Sequence, residues 1–389
     1  MNSLFTFEMH KLFQRKIIVG GLLASFMLLS GILFVGATFN QNYSSQQDNI
    51  EKGYPPTLDS IIQENYAGDL TDDKITTILS DYLKIRVKDI QNEDQLSFVF
   101  YPFYWDLGAQ FFTKGIPVVS DQLRESMDQG IQPSIVDFQI NKVSELNFTK
   151  FETPLQLGNY VPWTDLFTTS GNIFILCSVI LILIGATIFA ADTSKNINQL
   201  LFTNKFGRKK MNKTKIKVSV VVSVVLFLTF QFINYLTFYS LFDLSGGISS
   251  IQTNFSMVLF DFPMEWSHWV TFLFILISQL LGIIFTVSIT LFLSAISKTS
   301  MAAFANSLGI FFLPSLLTQL IKTGIGNQIL QLFPINWANP IKLLEILSVQ
   351  DYLLGNFILN TLLLYVFLLL TVITFILASY YKIKKWSYT

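Results

Sequence analysis

Six stretches of this sequence are apolar, free of Asp, Glu, Lys and Arg, and each long enough to cross a lipid hydrocarbon layer. A layer of roughly 30 Å takes about 20 helical residues at a rise of about 1.5 Å each. The stretches run from Ile17 to Ala37, Ile173 to Ala190, Val218 to Leu241 and Trp269 to Ile296, then between Lys298 and Lys322, and last within Tyr352 to Tyr381. The first closes on Val35, Gly36 and Ala37, a small-residue triplet of the kind that signal peptidases cut. Its apolar run is longer than a signal core, however, so it is read as a span. With 51% apolar residues, 38 Phe and only 13% charged residues, the chain has more apolar surface than a soluble core needs, and a bilayer is the natural solvent for the surplus.

The formal net charge of zero conceals a segregation along the chain. The N-terminal tail, the segment after the second span, the turn at Lys298 and the C-terminal tail together hold 15 of the 26 basic residues but only two acids, Glu8 and Asp192. The alternating segments hold 11 basic residues and 24 acids. Basic flanks are retained on the cytoplasmic side, so the pattern predicts a multi-pass protein of the cell membrane with both termini inside. Only Arg15, Arg86, Arg124 and Arg208 among the 26 basic residues are Arg, a bias read as that of an AT-rich, Gram-positive genome.

The expected fold class is an all-α polytopic membrane protein with six transmembrane helices and a mixed α/β extracellular domain inserted between helices 1 and 2. Residues 1–16 form a cytoplasmic amphipathic helix, 17–38 the first span, 39–170 the extracellular domain and 171–191 the second span. A cytoplasmic helix and basic loop take up 192–217, and the four remaining spans 218–389. Within the inserted domain, Thr71 caps a helix whose first turn carries Asp72 and Asp73. Its buried face would be Ile75, Ile78, Leu79, Tyr82 and Leu83. A second helix runs from Ser120 to Gln129 and stops at Gly130. The aromatic-rich stretches Leu96 to Trp105 and Ile135 to Phe151 read as strands. Met257 to Trp266 and Gln328 to Leu347, broken by Pro263, Pro334 and Pro340, read as interfacial or re-entrant helices, with Trp266, Trp269 and Trp337 at headgroup depth.

Catalytic chemistry is not legible anywhere. The chain has no Gly-rich loop followed by Lys and Ser or Thr to cradle a phosphate, and its two histidines, His10 and His268, fall on opposite sides of the membrane in the predicted topology. Cys177, the only cysteine, lies within a span. The spans lack the ionisable ligands that ion-coupled carriers bury. Gln231, Asn234, Gln279 and Asn306 are the candidate polar groups to line a pathway, and helix-to-helix hydrogen bonding is an equally good account of them. The chain is therefore expected not to be an enzyme and to hold no cofactor or metal of its own.

Two cytoplasmic elements suggest an external energy source. Phe5, Met9, Leu12 and Phe13 form one face of an N-terminal amphipathic helix, with Glu8, Lys11 and Arg15 on another. After Asp192, Ile197, Leu200 and Leu201 form an apolar face with Asn196, Gln199 and Thr203 opposite, and Gly207 ends the helix before a basic run.

In these respects the chain resembles the permease subunit of type-2 ATP-binding-cassette exporters. The resemblance rests on Phe7, Glu8, Met9, His10, Lys11 and Leu12, on Leu200, Leu201, Phe202 and Thr203 followed by Gly207, Arg208, Lys209 and Lys210, and on the six-span layout. Before the second motif, members often carry Glu and Gly where this chain has Ala191, Asp192, Thr193 and Asn196. The resemblance implies a coupling helix, here Asp192, Ile197, Leu200, Leu201, Thr203, Gly207 and Arg208, that docks on a separate cytoplasmic ATPase. That ATPase would be present in two copies and would hold ATP and Mg. It also implies a second permease half, either another copy or a similar chain. The uncharged, Phe- and Leu-rich spans suit an amphipathic or apolar cargo such as a peptide, antibiotic or lipid. The alternative is a membrane sensor or scaffold whose extracellular domain binds a ligand without transport.

Overall fold

The computed structural model describes residues 3–38, 55–91, 102–131, 133–146, 154–194 and 210–386. Six of its helices are long and apolar enough to cross a membrane. They are α2 (Lys16–Thr38), α7 (Val161–Ser194), α8 (Lys210–Leu241), α9 (His268–Ile296), α10 (Ser300–Leu320) and α13 (Phe357–Trp386). All six expected spans are present. The second is longer than expected, because α7 begins at Val161 rather than near 171. A short helix, α1 (Ser3–Phe13), precedes them. The chain falls into two compact units.

The first unit comprises Met1–Ile32, Thr169–Asn234 and Phe274–Thr389. Helices α7 and α9 form its middle, with 78% and 61% of their apolar windows buried against 22% for α2 and α10 and 11% for α13, whose apolar surface lies largely on the outside of the unit. Small residues allow this packing. A Cβ on Gly185 would lie 2.9 Å from the Thr290 methyl, so α7 and α9 meet backbone to side chain there. Ser294 of α9 donates to the Ala186 carbonyl at 2.8 Å and accepts from the Ala190 amide at 3.0 Å, while Ala186 and Ala190 pack on Ala303 of α10.

The expected helices between the last two spans are α11 (Gly324–Gln331) and α12 (Pro340–Ser348), separated by a 3₁₀ turn at Pro334–Trp337. Asn339 starts α12 by accepting from the Ile341 amide, with Pro340 in the first helical position, where no amide donor is missed. Trp337 is 1% exposed, stacks on Phe174 at 6.0 Å and donates Nε1 to the Leu332 carbonyl, so its ring is part of the protein core.

The second unit comprises Leu33–Thr168 and Tyr235–Leu273. It contains α3 (Pro55–Tyr66), α4 (Asp72–Gln91), α5 (Pro102–Phe111) and α6 (Gly115–Asp128). Among its described residues the only sheet is β1 (Gly68–Asp69) paired antiparallel with β2 (Gln156–Leu157), so the mixed α/β expectation is corrected to a helical unit. Residues 102–105 of the aromatic stretch begin α5. Pro102 sits at its start, and Phe103, Leu107 and Phe111 recur at the four-residue spacing of one helical face, which outweighs their β propensity. In the second supposed strand, Ile135–Asp137 and Val143–Leu146 are 3₁₀ turns, the first closed by Asp137 accepting from the Ser134 amide, and among its described residues only Ile140 makes a β-bridge, to Phe112.

Thr71 does cap α4 by accepting from the Lys74 amide, and the predicted face of Ile75, Ile78, Leu79, Tyr82 and Leu83 is buried. It shares its core with Phe103, Leu107, Phe111, Tyr160 and Phe255. Gly130 follows the second expected helix with φ +71°, although that helix, α6, starts at Gly115. Met257 to Trp266 is not helical. Its carbonyls at Phe262 and Met264 accept from the Gln252 side chain, at 3.0 and 2.7 Å, and Met257, Leu259 and Phe262 are buried. Glycine is required before it, since a Cβ on Gly246 would fall 2.1 Å from the Asn159 carbonyl oxygen.

Candidate functional site

Helix α1 ends at Phe13, and Gln14 and Arg15 form a joint before α2 begins at Lys16. Phe7 and Phe13 are 61% and 41% exposed, whereas Leu12 is buried together with Glu8. Glu8 is thus turned into the protein alongside Leu12, while Phe7 and Phe13 remain outward.

What receives Lys11 and Arg15 is Asp192, two residues before the end of α7 and 2% exposed. A carboxylate near a helix C-terminus meets the negative end of the dipole, and burying it removes its hydration. Three cations offset both penalties. Lys11 donates Nζ to Asp192 Oδ1 at 2.9 Å, Arg15 Nη2 lies 4.0 Å from the same oxygen, and Lys215 of α8, itself 3% exposed, donates to Oδ2. Two of these cations also bond the α7 backbone, Arg15 at the Thr187 carbonyl (2.7 Å) and Lys215 at the Ile188 carbonyl (3.4 Å). Glu8 is 7% exposed and acts electrostatically on Arg15 and Lys215. Three cations and two carboxylates leave one surplus positive charge.

The cluster therefore joins α1 to the end of α7 and the start of α8, the two ends of the chain segment 195–209. Of the sequence-predicted residues, Glu8, Lys11 and Asp192 come together here, while Ile197, Leu200, Leu201, Thr203, Gly207 and Arg208 lie outside the described residues. Arg15 was expected only on the polar face of the N-terminal helix, and Lys215 only as one of the basic residues after the second span. A sequence signal for their role did exist, because Glu8 and Asp192 are the two acids in otherwise basic segments, and both are buried against bases.

The polar residues of the spans divide. Gln231 Nε2 of α8 donates to the Ser170 carbonyl of α7 and to Gln279 Oε1 of α9, both at 3.1 Å, and Ser170 Oγ donates to the same Gln279 oxygen at 3.0 Å. Asn234 Nδ2 reaches Gln231 Oε1 at 3.5 Å. These groups link three helices. Asn306 is apart from them, exposed on α10. His268 is wholly buried, with Nδ1 against Ser249 and Nε2 against the Asn254 side-chain amide at 3.1 Å.

In the second unit, Asp106 accepts from the hydroxyls of Ser256 and Tyr160. Burial pushes its carboxyl up to about 6 despite those two donors. Because the folded value is raised, the stabilisation belongs to the protonated form. It is complete below 3.8 and is lost as pH rises through about 6. Asp106→Asn should remove this slope, on the order of 3 kcal/mol across the window, from the pH dependence of unfolding followed by tryptophan fluorescence.

No family model, curated protein or solved structure matches this chain.

Proposed function

We propose that the chain is the permease subunit of an ATP-binding-cassette exporter, moving an amphipathic or apolar cargo with ATP hydrolysed by a separate cytoplasmic ATPase. The observation that carries this reading is the buried charge cluster on Asp192. A force applied to the segment 195–209 meets the ion-paired base formed by residues 192 and 215, and through Lys11 and Arg15 it reaches α1 and the joint ahead of α2. Such a base suits a segment that is pushed from outside, and the six uncharged spans suit transport that draws its energy elsewhere. The lysine bias of the sequence supports a cytoplasmic side for the 195–209 segment and an extracellular one for residues 39–170. The complete transporter is a dimer of this chain, or of this chain and a similar one, with two ATPases.

The test uses the tagged full-length chain isolated gently from its native membrane. Mg-dependent ATP hydrolysis should accompany the complex, and a wash with urea or alkali that strips peripheral proteins should carry the activity away, leaving a chain that neither binds nor hydrolyses ATP. Hydrolysis that remains with the stripped chain, or a native complex that never contains a nucleotide-hydrolysing protein, would overturn the reading and favour a membrane sensor.

A further inference from the structure

The cluster at the base of the 195–209 segment is unevenly filled. Asp192 holds all three cations, while Glu8, on the adjoining helix, is nine-tenths buried with its Oε1 making no hydrogen bond among the described residues. A buried carboxylate oxygen without a donor is costly, and natural structures seldom retain one without a use. The cations it lacks are close by, since the charge of Glu8 acts on both Arg15 and Lys215. The helical run is also broken here, between Phe13 and Lys16. Glu8 lies about two turns before the Gln14–Arg15 joint, so a tilt of α1 about that joint would carry Glu8 across the cluster while α2 stays in place. Close packing holds α2 there, since a Cβ on Gly21 would lie 2.8 Å from Leu183 of α7.

We propose that Glu8 is a second seat for a cation now held by Asp192, so that α1 has two charge-paired positions and passes between them by exchanging Lys215 or Arg15 from one carboxylate to the other. The number of ion pairs is nearly conserved in the exchange, which makes the two positions close in energy. The inference concerns this chain alone and stands whether or not an ATPase is the partner.

Distances between spin labels on Thr6→Cys and Lys217→Cys, both exposed positions, in the full chain with Cys177→Ser report the position of α1. The unsubstituted cluster should give one main distance and a minor second one. Asp192→Asn should move most of the population to the second distance, still narrow, and adding Glu8→Gln should replace it by a broad distribution. A broad distribution with Asp192→Asn alone, or no change from it, would overturn the proposal. Should Asp192→Asn not yield folded protein, Glu8→Gln alone decides. Loss of the minor distance supports the second seat, and an unaltered distribution refutes it.

Discussion

Replacing Asp192 by Ala and Glu8 by Gln together should cost the first unit about 3 to 5 kcal/mol, the range expected when a buried charge loses its last partner. The stranded charge is Lys215, 3% exposed on α8, with Lys11 and Arg15 better able to reach water at 28% and 21%. Asp192→Ala alone should cost less than the pair, because Glu8 still offers a carboxylate, and the two changes should be non-additive in a double-mutant cycle. Adding Lys215→Met to the double variant should recover most of the loss, since a long apolar side chain needs no counter-charge at that site. Unfolding of the full chain in detergent, followed by denaturant titration, measures all four. A double variant no less stable than Lys11→Ala would show that the cluster contributes topology and not stability.

The largest functional effect is expected in the segment that this cluster closes. If Leu200 and Leu201 dock in a cleft of an ATPase, changing both to Asp removes apolar burial worth about 1.5 to 3 kcal/mol for each side chain and adds unpaired charge to the interface. A loss of about 3 to 6 kcal/mol weakens binding at least a hundredfold, so the ATPase should no longer co-purify while membrane insertion is retained. Arg208→Ala should do less, as an exposed ion pair contributes at most about 1 kcal/mol. Polar changes at Trp386 and Tyr388, in the C-terminal tail, serve as controls that leave the complex intact.

The parts legible in the sequence were those set by long uniform patterns. Six uncharged apolar runs specify six helices whatever their packing, because an unpaired backbone in hydrocarbon is too costly for anything but a helix or a closed barrel. The helix after Thr71 was equally readable, because its cap and its apolar period agree. The second unit misled where short aromatic segments had to be judged by propensity. Phe103, Tyr104 and Trp105 favour strands in isolation, yet Pro102 and the recurrence of Leu107 and Phe111 place them on a helix. The burial of Trp337 was likewise not legible, for a ring that suits a headgroup layer also suits a core that offers its indole an acceptor such as the Leu332 carbonyl. At the site, the residue types were visible but their pairing was not. Lys11 and Lys215 lie 181 and 23 residues from Asp192 along the chain, and no local periodicity relates them.

What meets the segment 195–209 decides between an ATPase-driven permease and a sensor, and a photo-crosslinking amino acid placed at Phe202 in the native cell reads that directly. The expected adduct is a protein with a phosphate-binding loop that hydrolyses ATP, formed at Phe202 and absent when the same crosslinker replaces Val136, which is 87% exposed in the second unit. Adducts at Phe202 that contain only lipid or a second copy of this chain, with no nucleotide-binding protein among them, would contradict the account.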